Sequence, residues 1–484
     1  MATVPVASPK QSRAAPAALF SAMVPGWGQV YVGQGHRAYS LFVVNVILVV
    51  AGAVLLGPLQ IEAVKMWVSP DALIGIMVVN VAVLMYRTFA VAQAYRAATV
   101  GPQGVLGGVG MAAAVALLVV PHLVLGLLAW TQYDLIRSVF SPSIPVAGDT
   151  TTTTSTTLDY TTTVPGSTTS RPEITTTTTP TTTTIPPMWD GLDRLNVVLL
   201  GADAGVGRVG IRTDTTIVVS IDPANGEVAM ISVPRNLSNV PLPAGMGTWD
   251  CNCFPDLLTH LYDAAERNPS AFPGPNEPWF NAIKGALGEL LGIPIHYYAM
   301  VTLDGFVGVV DALGGVTIDV PQTIVDPTYP HENGTTVRVE IRAGRQHLDG
   351  HMALAYARIR RPSDDFARMH RQRCVLGAVV EQSSPLEILL NFPKLAAAVK
   401  TSVTTDIPQD RLVDFVDLLP MISTSRIASL RIDRSYVVST APGRTYYDLD
   451  RIKSEATLLM EDPVAARDRL GLGSLDVACD QSFD

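Results

Sequence analysis

Apolar and polar positions divide this chain into three regimes. In the first, three long runs at 39–61, 72–94 and 105–130 are almost free of charge. Each is long enough to cross the ~30 Å hydrocarbon core of a bilayer as a helix. They are too long, and too far from the N-terminus, to be a cleaved signal peptide. The pattern predicts three transmembrane helices. Residues 19–33 are also apolar, but Pro25, Gly26 and Gly28 interrupt them, which predicts an interfacial or re-entrant segment. In the second regime, 150–187, Thr, Pro and Ser dominate and apolar content almost vanishes. Such a tract cannot bury enough surface to offset chain entropy, so a disordered linker is expected. Stretched, it would reach on the order of 100 Å. A bare spacer through a cell wall and an O-glycosylated stalk both suit it.

In the third regime, from Leu195 onward, short β-branched blocks alternate with blocks of helical period. Strands are expected at 196–200, 215–221, 228–233, 297–303 and 316–320, with a turn at 222–226 between the second and third. Helices are expected at 279–291, at 304–313 (stopped by Gly314-Gly315), at 350–360 and at 364–382. This is the pattern of a globular α/β domain, and no later composition break demands another.

Charge orients these regimes. Lys10, Arg13 and Arg37 precede the first run, and Arg87 and Arg96 end the second; the other flanks offer only Lys65 and Arg137. The positive-inside rule then puts the N-terminus inside and everything after residue 131 outside. The expected organisation is a cytoplasmic or interfacial segment (1–38), a membrane region (39–135), a linker (136–190) and an extracytoplasmic domain (191–484). Hydrophobic residues at 48% and charged residues at 16% suit a membrane component. The net charge of -9 argues against a nucleic-acid partner. Cys251, Cys253, Cys374 and Cys479 all lie in the last region, where two disulfides in any of three connectivities, free thiols or a metal site are open readings.

Against that acidic background, 352–373 holds six arginines (Arg358, Arg360, Arg361, Arg368, Arg371, Arg373) and the pair Asp364-Asp365. Guanidinium forks suit phosphate oxygens, so a multiply charged anion is the expected ligand. Tyr356 and Arg360 would share one face of their helix, with Arg358 pointing elsewhere. Asp364, Arg368, Arg371 and Gln372 would share a stripe on the next. Asp203 follows the first strand and Asp214 opens the second. If those strands pair, both carboxylates lie at one sheet end, and two carboxylates with substrate phosphates are a usual Mg²⁺ site. Arg212 and Arg235 would lie nearby if three strands are neighbours. The glycines at 205, 207 and 210 match GxGxxG, but a strand pattern follows them where a dinucleotide fold needs a helix.

The segments NVVLLGAD (196–203), RTDTTIVVSID (212–222), SVPRN (232–236), GFVGVVDALGGVTIDVP (305–321), AGRQHLDGHMALAYARIRR (343–361) and DDFARMHRQR (364–373) together resemble the LytR-CpsA-Psr family of bacterial cell-wall proteins. The resemblance implies a three-layer α-β-α extracytoplasmic domain with a central mixed sheet, preceded by transmembrane helices, in a multi-pass protein of the cell membrane. It implies a phosphotransferase moving a glycopolymer from undecaprenyl pyrophosphate to peptidoglycan, at the N-acetylmuramic acid 6-hydroxyl. Its cofactor would be Mg²⁺ or Mn²⁺ on Asp203 and Asp214. The pyrophosphate would meet Arg212, Arg235, Arg358, Arg360, Arg368, Arg371 and Gln372, with Arg235, Arg358, Arg368 and Asp365 carrying catalysis. An apolar tunnel for the polyprenyl tail would be walled by helices near 283–291 and 306–313. Two positions depart from the family pattern. Asn236 replaces an aspartate that could orient Arg235, and the segment Leu257-Leu-Thr-His260-Leu-Tyr262 lacks the usual lysine. Two other readings stay open: a polyprenyl-pyrophosphate hydrolase, and a non-catalytic envelope sensor that binds lipid pyrophosphates.

Overall fold

Two runs rich in aliphatic and β-branched residues, 195–203 and 212–221, build the centre of the molecule, and successive side chains of each strand leave on opposite faces. The computed structural model describes residues 13–56, 60–98, 105–140, 189, 192–203, 210–331, 335–360, 364–382, 392–400, 402–422 and 427–472; the expected linker at 150–187 lies outside them. Strands β1 (Leu195–Asp203), β2 (Arg212–Ile221) and β3 (Val228–Ser232) form an antiparallel meander. The turn at 222–226 closes where expected, with the Gly226 amide donating to the Asp222 carbonyl at 2.9 Å. Short β4 (Ser238–Pro241) and β5 (Cys253–Leu257) pair separately. β6 (Tyr297–Thr302) joins β1 in parallel, β11 (Val403–Thr405) closes one edge and β12 (Ile427–Arg431) the other, giving a mixed six-stranded sheet in the order β11-β6-β1-β2-β3-β12. β7 (Val316–Val320) pairs with β10 (Gly344–Leu348), β8 (Ile324–Pro330) with β9 (Thr336–Ile341), and β13 (Val437–Ala441) with β14 (Arg444–Tyr447).

The two sheet faces carry different cores. Val198, Leu200, Val218 and Ile231 pack with Ile283, Leu287 and Leu290 of a helix at Pro278–Leu291. Those three helix residues are at most 1% exposed, and full burial of each contributes about 2 kcal/mol. Leu195, Val197, Ile217 and Met230 point the other way. The helices, in chain order after the membrane region, are α7 (Leu261–Arg267), α8 (Pro278–Leu291), α9 (Leu303–Ala312), α10 (Gly350–Arg358), α11 (Asp365–Gln382), α12 (Phe392–Lys400), α13 (Leu412–Leu418), α14 (Leu449–Glu461) and α15 (Pro463–Leu470). α10 and α11 share a further core with β7, β8 and β9.

The N-terminal third is helical: α1 (Ala14–Met23), α2 (Trp27–Tyr31), α3 (Gly35–Leu56), α4 (Gln60–Val68), α5 (Pro70–Ala98) and α6 (Val105–Val139). Among the described residues two stretches, Pro70–Ala98 and Val109–Val139, are long and apolar enough to cross a membrane, by length and composition. The first expected span falls in α3, whose apolar stretch among described side chains, Gly35–Val50, is too short to count. The segment at 19–33 folds as the bend between α1 and α2. Gln29 is buried there and donates to the Ala90 carbonyl at 2.7 Å, and Arg87 donates to the Ala22 carbonyl at 2.6 Å.

Cys251 and Cys253 form a disulfide, and Cys374 is also disulfide-bonded. Cys479 lies outside the described residues.

Candidate active site

A cavity of about 540 Å³ lies against the sheet face opposite α8, between β1, β2 and β6 on one side and α9 and α11 on the other. Leu199, Ile217, Ala299 and Val301 come from the strands; Phe306 and Val309 from α9; Val375, Leu376 and Val379 from α11. The expected tunnel wall is therefore half corrected. α9 borders the cavity as expected, but α8 at 283–291 packs on the other sheet face, and α11 takes its place. A helical period tells that α8 has an apolar side, not which sheet face receives it.

The polar end of the cavity starts from a β-bulge. Gly201 faces Thr215 and Ala202 faces Thr213, so Asp214 is the extra residue. A bulge breaks the alternation of side chains, and Asp214 and Thr215 both line the cavity although they are adjacent in sequence. Gly201 makes room, since a Cβ there would lie 2.9 Å from the Thr215 Cβ. Asp203, 2% exposed, ends β1 at the same place.

Arginines converge on these carboxylates from three elements. Arg235 follows β3 and places Nη1 2.8 Å from Asp214 Oδ1 and Nε 3.2 Å from Asp365 Oδ1. Arg368 on α11 is 3% exposed; it pairs with Asp365 at 3.0 Å and donates from Nη1 to the Asp214 carbonyl at 2.8 Å. Arg358 reaches Asp203 at 3.3 Å and donates to the Tyr329 hydroxyl at 3.2 Å. Arg360 lines the same cavity and has no carboxylate partner among the described residues. Four guanidinium groups thus face three carboxylates in this cluster (Asp203, Asp214, Asp365), and Asp326 on the cavity wall brings the formal charges into balance.

Burial alone would raise the Asp214 carboxyl, but Arg235, Arg368 and the Thr259 hydroxyl outweigh it and hold it below the usual carboxylate range. Burial likewise opposes, and Arg368, Arg235 and Arg360 overcome, the same shift at Asp365. Both are carboxylates at neutral pH. For Arg360, burial and then its cationic neighbours Arg235 and Arg368 disfavour the charge. An arriving anion would relieve that opposition.

The structure sorts the residues expected at the site. Asp203, Asp214, Arg358, Arg360, Arg368 and Gln372 line the cavity. Arg235 and Asp365 stand behind them and hold Asp214 and Arg368 in place. Arg212 is exposed and Arg371 is buried, and neither lines the cavity. Arg371 donates to the carbonyls of Tyr356 (2.8 Å) and Ile359, capping the end of α10. The spacing argument that joined it to Arg368 overlooked that adjacent positions 371 and 372 diverge by about 100° around a helix. The face expected for Tyr356 and Arg360 also fails: α10 ends at Arg358 and Ile359 is extended, which turns Arg360 back into the cavity beside Arg358. Asp364 does not join the stripe; its Oδ1 accepts from the Ala367 amide at 2.9 Å and its Oδ2 pairs with Arg434 at 2.6 Å. Arg361 is outside the described residues.

Four contributors escaped the sequence reading. Thr259, in the segment lacking the lysine, donates to Asp214 Oδ1 at 3.1 Å. Asp326, 7% exposed, Thr328 and Tyr329 line the cavity from β8. Only the Asp-Pro turn at 326–327 marked that strand, and turn residues are common. Asn236 faces away from Arg235; it accepts from the Tyr447 hydroxyl at 2.9 Å and donates to Thr445 at 3.3 Å. Arg235 is oriented instead by Asp214 and Asp365, so an aspartate at 236 is not needed for that task.

Asp203 and Asp214 supply only hard oxygen donors, and Asp214 Oδ2 makes no hydrogen bond among the described residues. No group of three or more His, Cys, Asp or Glu side chains among the described residues could hold a metal ion. This donor set fits Mg²⁺, which is bound through one or two carboxylates with waters and substrate phosphates; it does not fit zinc.

Comparison with known proteins shows the family of the chain. The LytR_cpsA_psr family model matches residues 154–459. A polyisoprenyl-teichoic acid–peptidoglycan teichoic acid transferase TagU of Bacillus mycoides is 29% identical over 222 residues, covering 46% of this chain and 62% of that protein. TagV of Bacillus subtilis, which carries the same transferase description, is 29% identical over 256 residues, covering 52% of this chain and 59% of that protein. The chain thus spans less than two thirds of the length of these relatives. A crystal structure of B. subtilis TagV aligns with 56% of this chain and 98% of its own at 25% identity and a TM-score of 0.42.

Proposed function

This chain belongs to the LytR_cpsA_psr family, and on that premise we propose that it is a membrane-anchored phosphotransferase that moves a glycopolymer from a polyprenyl-pyrophosphate carrier to peptidoglycan. One observation carries the reading. A single cavity has guanidinium groups gathered at one end, Arg360 among them with no ion pair among the described residues, and hydrocarbon at the other, as an amphiphile with a pyrophosphate head requires. In this reading the carrier is undecaprenyl pyrophosphate and the acceptor the N-acetylmuramic acid 6-hydroxyl. The domain is the outer α-β-α unit of a multi-pass protein, with a membrane region from 39 to the end of α6 at Val139, so that the linker expected at 136–190 begins only after that helix, and a catalytic domain at 191–484.

Each residue then has a defined task. Arg358, Arg360 and Arg368 bind the pyrophosphate oxygens, with Gln372 beside them. Arg235 and Asp365 position Asp214 and Arg368. Leu199, Phe306, Leu376 and Val379 receive the first isoprene units. The acceptor oxygen forms a bond to the sugar-bearing phosphorus as the bridging P–O bond breaks, and polyprenyl phosphate departs while the acceptor hydroxyl's proton passes to it or to water. Charge spreads over the phosphoryl oxygens in that transition state, and guanidinium groups already fixed by Asp203, Asp214 and Asp365 meet it without reorganising. Mg²⁺ held by Asp203 and Asp214 would supply further neutralisation of the leaving phosphate.

The test uses the full chain in detergent with Mg²⁺ and a polyprenyl-pyrophosphate sugar. Polyprenyl phosphate should appear only when a glycan acceptor is added. Release without acceptor would make the protein a hydrolase. Tight binding with no turnover would leave a lipid-pyrophosphate binder and overturn both enzymatic readings.

A further inference from the structure

The membrane helices and the α/β domain touch, and among the described residues these contacts gather around α4 and the end of α6. Val399 of α12 and Val403 of β11 pack against Leu135 and Val139 near the end of α6. Leu412 of α13 joins the cluster of Leu73, Ala129 and Ile136. Lys65 of α4 lies 2.6 Å from Asp417, Lys400 pairs with Asp134, and Gln409 donates to the Phe140 carbonyl at 3.1 Å. Leu135, Ile136 and Val139 are at most 8% exposed, whereas Leu123, Val124 and Leu127 further up α6 are 57%, 50% and 56% exposed. The middle of α6 thus presents a surface for lipid, while its end is covered by protein.

Two further observations give this contact a direction. Counting lysines and arginines put the loop holding α4 and the end of α6 on the outer side, without any structural information. The docked domain meets those same two elements. The docking segment is also part of the cavity wall. Val403 pairs with Val301, which lines the cavity. α12 lies so close to α9 that a Cβ on Gly308 would be 2.7 Å from the Ala398 Cβ, and Phe306 and Val309 of α9 face the cavity.

We infer that the outer ends of α4 and α6 form a seat for the catalytic domain, holding the apolar wall of its cavity at the bilayer surface so that a membrane-embedded polyprenyl substrate is taken up directly. The inference rests on the lipid-linked substrate proposed above, and it adds that the anchor takes part in substrate capture. Because the ion pairs are partly exposed and individually weak, the seat is a docking contact of modest strength, as is usual between domains of one chain.

The test uses the full chain in liposomes. Asp134→Cys with Lys400→Cys should form an intramolecular disulfide under mild oxidation, whereas Asp134→Cys with Glu461→Cys should not. A cross-link no greater than in this control overturns the seat, whether or not the protein is an enzyme. For capture, Lys65→Glu should lower turnover of a long-chain substrate embedded in the bilayer at least threefold, leaving a short-chain, water-soluble analogue unaffected. Lys65→Glu with Asp417→Lys should restore it. An equal effect on both substrates, or none on either, overturns direct capture. If the unsubstituted chain turns over neither substrate, the proposed enzyme fails while the cross-link still decides the seat.

Discussion

Replacing Arg371 with methionine separates a binding role from a supporting one. Its guanidinium is 2% exposed and donates to the carbonyls of Tyr356 and Ile359. Hydrogen bonds from a charged donor contribute roughly 1.5–3 kcal/mol each, so losing both removes about 3–6 kcal/mol. Burial, however, pushes the Arg371 guanidinium down to about 10, a cost of roughly 3 kcal/mol that methionine does not bear. The net expectation is a destabilisation of about 0–3 kcal/mol, or up to roughly 10 °C in the melting temperature of a domain this large. Because the two carbonyls flank the turn that presents Arg358 and Arg360, KM for the lipid pyrophosphate should also rise. Arg360→Met should behave oppositely, with turnover lost and the melting temperature nearly unchanged, because Arg360 lines the cavity without an ion pair among the described residues. Scanning calorimetry beside steady-state kinetics decides it. An Arg371→Met protein that melts like the parent but has no turnover would mean that Arg371 contacts substrate, and the capping argument would be wrong.

Other expectations follow from the same geometry. Asp214→Ala should abolish Mg²⁺-dependent turnover, whereas Asp319→Ala, at the exposed position of β7, should not; equal activity in both removes the metal assignment. Asp214 and Asp365 are both held below the ordinary carboxylate value of 3.8, so the stability they contribute is complete above it and is lost as pH falls through their lower folded values. The melting temperature should therefore drop below about pH 4, and Asp365→Asn should flatten that acid limb; an unchanged limb would count against the network. Val379→Trp fills the apolar end of the cavity and should lower turnover of long-chain carriers several-fold while sparing short-chain ones, as a chain-length series would reveal.

Much of the scaffold was legible because its signals are local. β-Branched runs at 196–200 and 215–221 forecast the middles of β1 and β2 but missed about three residues at the site end of each, and a helical period bounded by Gly314-Gly315 forecast α9. Local rules also contained the end of α10, since Pro362 follows shortly after it and disfavours helix just before it. The cluster of arginines and the two strand-end aspartates were visible as chemistry. Their division of labour was not. Arg368 and Arg371 look alike in sequence, yet one faces the cavity and the other closes a helix end.

By itself the sequence determined the apolar runs at 72–94 and 105–130, the α/β order of elements and the crowding of arginines in 352–373, because each depends on periodicity or charge within a short window. Only the tertiary structure decided which sheet face holds the cavity, that a bulge turns Asp214 into it, and that Thr259 and Asp326 belong beside it. It also decided that α4 and the end of α6 meet the domain. These outcomes depend on register and on which faces pack together, and both are settled by contacts between residues far apart in the chain.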